Sequence, residues 1–155
     1  MRRFLTIPVF LFLIVSAITT ISCAPEACYE ETNAFVKAFM RDNDTGEPKA
    51  PDSLTVYGLD LDSVKIYNKA RNIQPALLPL NASASSCTFI VIINGTADTV
   101  TFNYSSYIHL ISMECGYTFF HNIDTLVYTT NIIDYIFTAD KKITTENVEN
   151  LRIFY

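Results

Sequence analysis

The chain has 155 residues, with 16 acidic side chains against 11 lysines and arginines and a formal net charge of −5. A chain this long forms one domain and buries a single core without metal or many disulfides. With no basic cluster it is a poor partner for nucleic acid, whose phosphates need Lys and Arg, and for anionic lipid headgroups.

Residues 1–22 read as a targeting segment. Arg2 and Arg3 supply a positive start, Phe4 to Ile21 is almost wholly apolar, and small residues follow before Cys23. That order is a secretory signal and not a fold element. The apolar run is about long enough to span a bilayer, so a retained membrane helix and an ordinary secreted protein stay open as alternatives. Pro8 and several threonines weaken a helix there, and Ala24-Pro25-Glu26 follows in place of a basic stop-transfer cluster. Thr20-Ile21-Ser22-Cys23 resembles the bacterial lipobox, although Thr20 stands where Leu is usual. The resemblance implies cleavage before Cys23 and a thioether-linked diacylglycerol on its sulfur. At about 0.8 kcal/mol per buried CH₂, two or three acyl chains anchor a protein stably. Loss of Arg2 and Arg3 takes the charge to about −7.

The expected organisation is therefore a signal peptide over 1–22, a lipidated tether over 23–33 and a single β domain over 34–155. Residues 34–40 fit neither period cleanly and are read as a strand. Residues 41–52 are a loop rich in Asp, Asn, Gly and Pro. Strand-like alternation then runs through Leu54–Tyr57 and Val64–Tyr67. Pro79 confines residues 76–80 to an edge or a bend. Residues 88–93 are apolar on both faces and read as a central strand, and Asn94-Gly95 is a strong hairpin turn. Val100, Phe102 and Tyr104 alternate with Thr99, Thr101 and Asn103. Strand-like segments follow at 107–114, 117–121, 125–130, 132–138 and 151–155, the last expected inside a sheet. One helical turn is suggested across Glu146 to Asn150, capped by Thr144 or Thr145. Eight to ten short strands predict an all-β, antiparallel β-sandwich, Ig-like in general architecture, with a closed barrel as the alternative.

Beyond Cys23 there are three cysteines, Cys28, Cys87 and Cys115. An exported protein meets an oxidising compartment, and three thiols allow one pair. Cys28–Cys115 is the favoured pair, stapling the start of the domain to a central strand. Cys87 opens an apolar strand and reads as a small buried residue.

Few side chains suggest chemistry. His109 and His121 lie in different strand-like segments, and no nucleophile elbow, phosphate loop or zinc-binding helix motif occurs. Asp52, Asp60 and Asp62 offer oxygens, but the calcium-loop pattern is missing. No metal, cofactor or catalytic residue is expected. Four Asp-Ser/Thr-apolar triplets look like an O-glycosylation signal, with Ser53, Ser63, Thr99 and Thr125 as acceptors; in competition, an Asp that closes a turn before a strand explains the same pattern. Tyr104, Tyr107, Tyr117, Tyr128 and Tyr135 fall in strands, and a tyrosine-lined face would suit a glycan or a protein, although core or rim positions account for most of them.

Several of these segments also resemble a family of small Bacteroidetes-type lipoproteins that is known as a domain of unknown function. The matching segments are Leu54-Thr55-Val56-Tyr57-Gly58, Asp62-Ser63, Leu78-Pro79-Leu80-Asn81, Asp98-Thr99-Val100-Thr101-Phe102, Glu114-Cys115-Gly116-Tyr117, and Asn147 with Glu149-Asn150. The resemblance implies an all-β lipoprotein in the envelope of a diderm bacterium and carries over no catalytic residue. The expectation for function is a non-enzymatic lipoprotein of the cell envelope, most naturally the outer membrane, held by its lipid and binding an outer-membrane protein. A carbohydrate-binding accessory lipoprotein is the alternative.

Overall fold

The structure is a computed structural model that describes residues 27–59 and 64–155. Ten strands follow in chain order: β1 (Phe35–Arg41), β2 (Leu54–Gly58), β3 (Lys65–Ala70), β4 (Ala76–Pro79), β5 (Ser86–Ile93), β6 (Thr96–Ser112), β7 (Gly116–Tyr128), β8 (Tyr135–Thr138), β9 (Lys142–Ile143) and β10 (Leu151–Phe154). They form a four-stranded sheet, β4-β1-β10-β8, and a six-stranded sheet, β3-β2-β5-β6-β7-β9. One of the two sheets curls into a half-barrel. The described residues contain no helix.

Alternation builds the core between the sheets. Val36, Ala38 and Met40 of β1, Leu151 and Ile153 of β10, and Leu54, Val56, Val91, Ile93, Val100 and Phe102 of the larger sheet form one buried cluster. Side chains two apart on a strand share a face, so each strand contributes every second residue. Asn94 and Gly95 both have positive φ, 51° and 93°, as a two-residue hairpin between β5 and β6 demands. Pro79 closes β4 at a sheet edge, and Gln74 extends that edge: its side-chain amide donates to the Met40 carbonyl at 2.8 Å and accepts from the Met40 N–H at 3.0 Å.

Three expectations are corrected. The pairing is not wholly antiparallel, because β1 runs parallel to β10, with Ala38 opposite Leu151 and Arg41 opposite Phe154. The strands are not all short. Segments 96–104 and 107–112 join into one 17-residue β6, and 117–121 joins 125–128 as a 13-residue β7. A register shift after Asn103 keeps the long pair in step. Finally, the helical turn at 146–150 does not form. Thr144 Oγ1 does accept from the Glu146 N–H at 3.2 Å, but Asn150 is pulled inward.

Asn150 is 1% exposed and joins three elements. Its Oδ1 accepts from the Lys37 N–H of β1 at 2.9 Å, and its Nδ2 donates to the Lys142 carbonyl of β9 at 3.0 Å. Its own backbone pairs with Lys37 and Ala139. The amide therefore ties the end of the smaller sheet to the edge of the larger one. Beside it Glu149 bridges Arg41 at 3.1 Å and Arg152 at 2.7 Å. Asn150→Ala should cost about 2 kcal/mol, because the buried Lys37 N–H and the part-buried Lys142 carbonyl lose their partners. Exposed Asn147→Ala should stay within about 0.5 kcal/mol. Urea denaturation of the two variants reads the difference.

Candidate functional site

Three unusual features gather at one end of the six-stranded sheet. The register shows why. β5 begins at Ser86 opposite Asn103, and β2 ends at Gly58 opposite Phe89, while β6 and β7 run on past both. Beyond Tyr104 the β6–β7 pair is a two-stranded arm. Its inner face carries four rungs in succession: Tyr104–Ile123, Ser106–His121, Ile108–Phe119 and Leu110–Tyr117. The first rung is core, with both residues 1% exposed; on the outer two, Ile108 is 63% and Tyr117 73% exposed. The face that builds the core thus continues outward as an uncovered apolar strip, ending at exposed Met113 in the turn.

A two-stranded ribbon is marginal alone in water, and the opposite face of the arm shows what supports it. Phe120 is buried there between His109, stacked at 4.2 Å, and Tyr107, edge-on at 6.0 Å. Residues 28–34 run alongside, and the Thr118 hydroxyl donates to the Thr32 carbonyl at 2.6 Å. Cys28 is disulfide-bonded to Cys115, across a sequence separation of 87. The favoured pair is present, but its anchor point differs from the expectation: Cys115 lies in the arm's terminal turn and not in a central strand. In the chain-entropy view a loop of that length is worth up to about 4.5 kcal/mol.

The third feature is an apolar groove of about 550 Å³ between the ends of β2 and β4 and the start of β5, lined by Leu59, Val64, Ile66, Leu80, Cys87 and Phe89 among others. Among the described residues Cys87 is the free thiol, half-buried in the groove's lining. Burial pushes its pKa to about 11, so it is a protonated, unreactive thiol at neutral pH. Nearby Tyr104 is raised to about 12, first by burial and then by Cys87, and its hydroxyl donates to the Asn81 carbonyl at 2.8 Å.

Residues 53–155 match a family of unknown function, DUF6452. The chain belongs to this family. No curated protein and no solved structure matches it. The DUF6452 span contains the arm, the groove and Asn150, whereas β1 and Cys28 precede it, so the disulfide joins a residue outside the matched span to one inside.

In this DUF6452 chain the two histidines stay apart in role. His109 is exposed on the arm. His121 is 3% exposed, edge-on to Tyr104 at 5.5 Å, with Nδ1 2.8 Å from Ser106 Oγ. Burial lowers its pKa, which keeps the ring neutral at neutral pH. Among the described residues no carboxylate bonds to it, and the pair sits where the arm leaves the core. The five strand tyrosines do not form one face: Tyr104 is buried, Tyr107 and Tyr117 point to opposite sides of the arm, and Tyr135 stacks on Phe154 at 4.1 Å.

The Asp-Ser/Thr triplets separate on inspection. Cys23, Asp60, Asp62 and Ser63 lie outside the described residues. Ser53 is half-buried, its backbone locked to Asn94. Thr125 is exposed and accepts from Asn103 Nδ2 at 2.9 Å. Thr99 belongs to a structural device, because Asp98 beside it is 1% exposed and takes four donors: the Thr129 hydroxyl at 2.5 Å and the N–H groups of Asn131, Ile132 and Ile133 at 2.8–2.9 Å. That carboxylate shapes the turn between β7 and β8.

Burial alone would raise the Asp98 pKa, but those donors outweigh it and hold the group below its ordinary 3.8. With the folded pKa below the unfolded one, the stabilisation is complete above 3.8 and drains away as pH falls through the lowered value. Asp98→Asn should cost about 3 kcal/mol at neutral pH. The gap between wild type and variant should narrow as the pH drops below 3.8, as followed by denaturant midpoints across a pH series.

Proposed function

We propose that this chain is a lipid-anchored accessory protein of a bacterial cell envelope that holds a protein partner and does not turn over a substrate. Cys23 is the acylated residue, the segment before it is the export signal, and the outer membrane of a diderm, Bacteroidetes-type cell is its site. One structural observation carries most weight: the disulfide between Cys28 and Cys115. Such bonds persist in oxidising compartments outside the cytosol, which agrees with the lipobox-like Thr20–Cys23.

Binding is favoured over catalysis by the character of the groove. Its lining is mostly apolar, its thiol is protonated, and His121 lies buried beneath Tyr104. Leu59 and Val64 stand exposed at the groove's lip, which suits an apolar segment of a protein at the membrane surface.

Cys23→Ser should move the protein from the membrane fraction to the soluble fraction, and the mass of wild-type N-terminal peptide should show the diacylglycerol thioether. A wild-type chain that is cleaved but bears no lipid would remove the anchor. A photo-crosslinking residue at Leu59 should capture a discrete membrane protein in cells, whereas one at Thr125 should not; equal yields from both would count against the groove.

A further inference from the structure

We infer that the β6–β7 arm is a membrane-docking element that lays its apolar strip into the interface of a zwitterionic bilayer. The inference rests on the reading of Cys23 as the lipidated residue.

The argument begins with chain length. Cys23 and Cys28 are five residues apart, and five residues reach at most about 17 Å when fully extended. Cys28 is bonded to Cys115 in the turn of the arm. An acylated Cys23 sits among the headgroups, a layer about 5–8 Å deep on each side of the hydrocarbon. The disulfide therefore holds the tip of the arm, and not some other part of the domain, next to the membrane. The six residues from Tyr107 to Ser112 extend about 20 Å from the core, so the arm is the part of the domain nearest the lipid.

The side chains there fit that place. Met113 is 86% and Tyr117 73% exposed, and Ile108, Leu110 and Phe119 complete the strip; Tyr29, next to Cys28, is 90% exposed. Contiguous apolar surface of this kind marks an interaction site, and tyrosines suit the boundary where one end is apolar and the other wet. The inner ladder of the ribbon is paired, and its two open edges restrict the arm to the hydrated interface, where the strip lies face-on without entering the hydrocarbon. Charge decides the lipid class. Glu30, Glu31 and Glu114 flank the tip, all exposed, and oppose an anionic surface while tolerating a neutral one. Residues 28–34 run along the opposite face of the arm, where Phe120 is buried but Tyr107 stays 47% exposed, so the continuous apolar strip is the face offered to the bilayer.

The chain contains no tryptophan, so one introduced indole reports its own surroundings. The full-length, lipidated protein carrying Met113→Trp, or separately Tyr117→Trp, is reconstituted into phosphatidylcholine vesicles with brominated acyl chains. Phe137→Trp, on β8 of the other sheet and half open to solvent (51%), is the control. Docking within about 5–10 Å of the acyl boundary should quench both arm reporters at least about two-fold, with a blue shift, and leave the control unquenched. Adding Ile108→Lys to Met113→Trp should abolish the quenching while the protein stays on the vesicles. Intact mass of the same preparation reads acylation separately. An acylated protein whose arm reporters are not quenched overturns the docking and leaves the anchor standing; an unacylated protein overturns both. A blue shift that grows with protein concentration in lipid-free detergent would show that a second copy covers the strip, and would also overturn it.

Discussion

The parallel pairing of β1 with β10 is the contact on which the rest of the structure depends. The two strands come from opposite ends of the domain, yet they lie side by side in the middle of the smaller sheet, with β4 and β8 outside them. Their inward residues, Val36, Ala38, Met40, Leu151 and Ile153, are 2% exposed or less and form one wall of the core. Without that wall the inner faces of β2, β5 and β6 would open to water. Pairing across more than a hundred residues carries a large closure entropy, which must be offset by burial and by polar groups that have partners.

Asn150 and Asp98 supply those partners where the ladders stop. Asn150 satisfies Lys37 and Lys142 at the seam between sheets, and Asp98 satisfies the three successive N–H groups that lead into β8. Buried donors without acceptors would cost about 1–3 kcal/mol each. Both side chains are polar groups whose value lies in backbone they do not belong to, and each holds a connection that neither sheet provides alone.

Beyond Tyr104 the molecule departs from economy of burial. The larger sheet outgrows its core, and the β6–β7 arm carries inward-type residues into solvent. Buried Phe120, the Thr118–Thr32 contact and the disulfide hold the outer side of the arm firmly, while the strip stays open. Support on one face with apolar exposure on the other suits a surface that is built to be covered.

Much of this was legible in the sequence. Period-two alternation located the strands, Asn94-Gly95 the tight hairpin and Pro79 an edge, and three spare thiols allowed one disulfide, with Cys28–Cys115 the favoured pair. These signals are local or combinatorial, and each has a direct steric or chemical cause. The expected helical turn at Glu146–Asn150 failed because a cap is a local preference, and Asn150 gains more from two distant backbone groups than from a short helix. At Asp98 the sequence left a modification signal and a turn-closing carboxylate side by side, because nothing nearby in sequence reveals donors more than thirty residues away. Exposure along the arm was equally hidden. Ile108, Leu110, Tyr117 and Phe119 alternate like Val100 and Phe102 do, and alternation reports a shared face without saying what covers it.

The sequence by itself determined an all-β chain and the positions of its turns, because backbone sterics and side-chain periodicity act over a few residues. Only the tertiary structure decided that the ends pair in parallel, that Asn150 and Asp98 are structural, and that Cys28 is bonded to the tip of an uncovered arm. Those outcomes depend on which faces meet and which surface is left over, and that is a property of the packed sheets and not of any one segment.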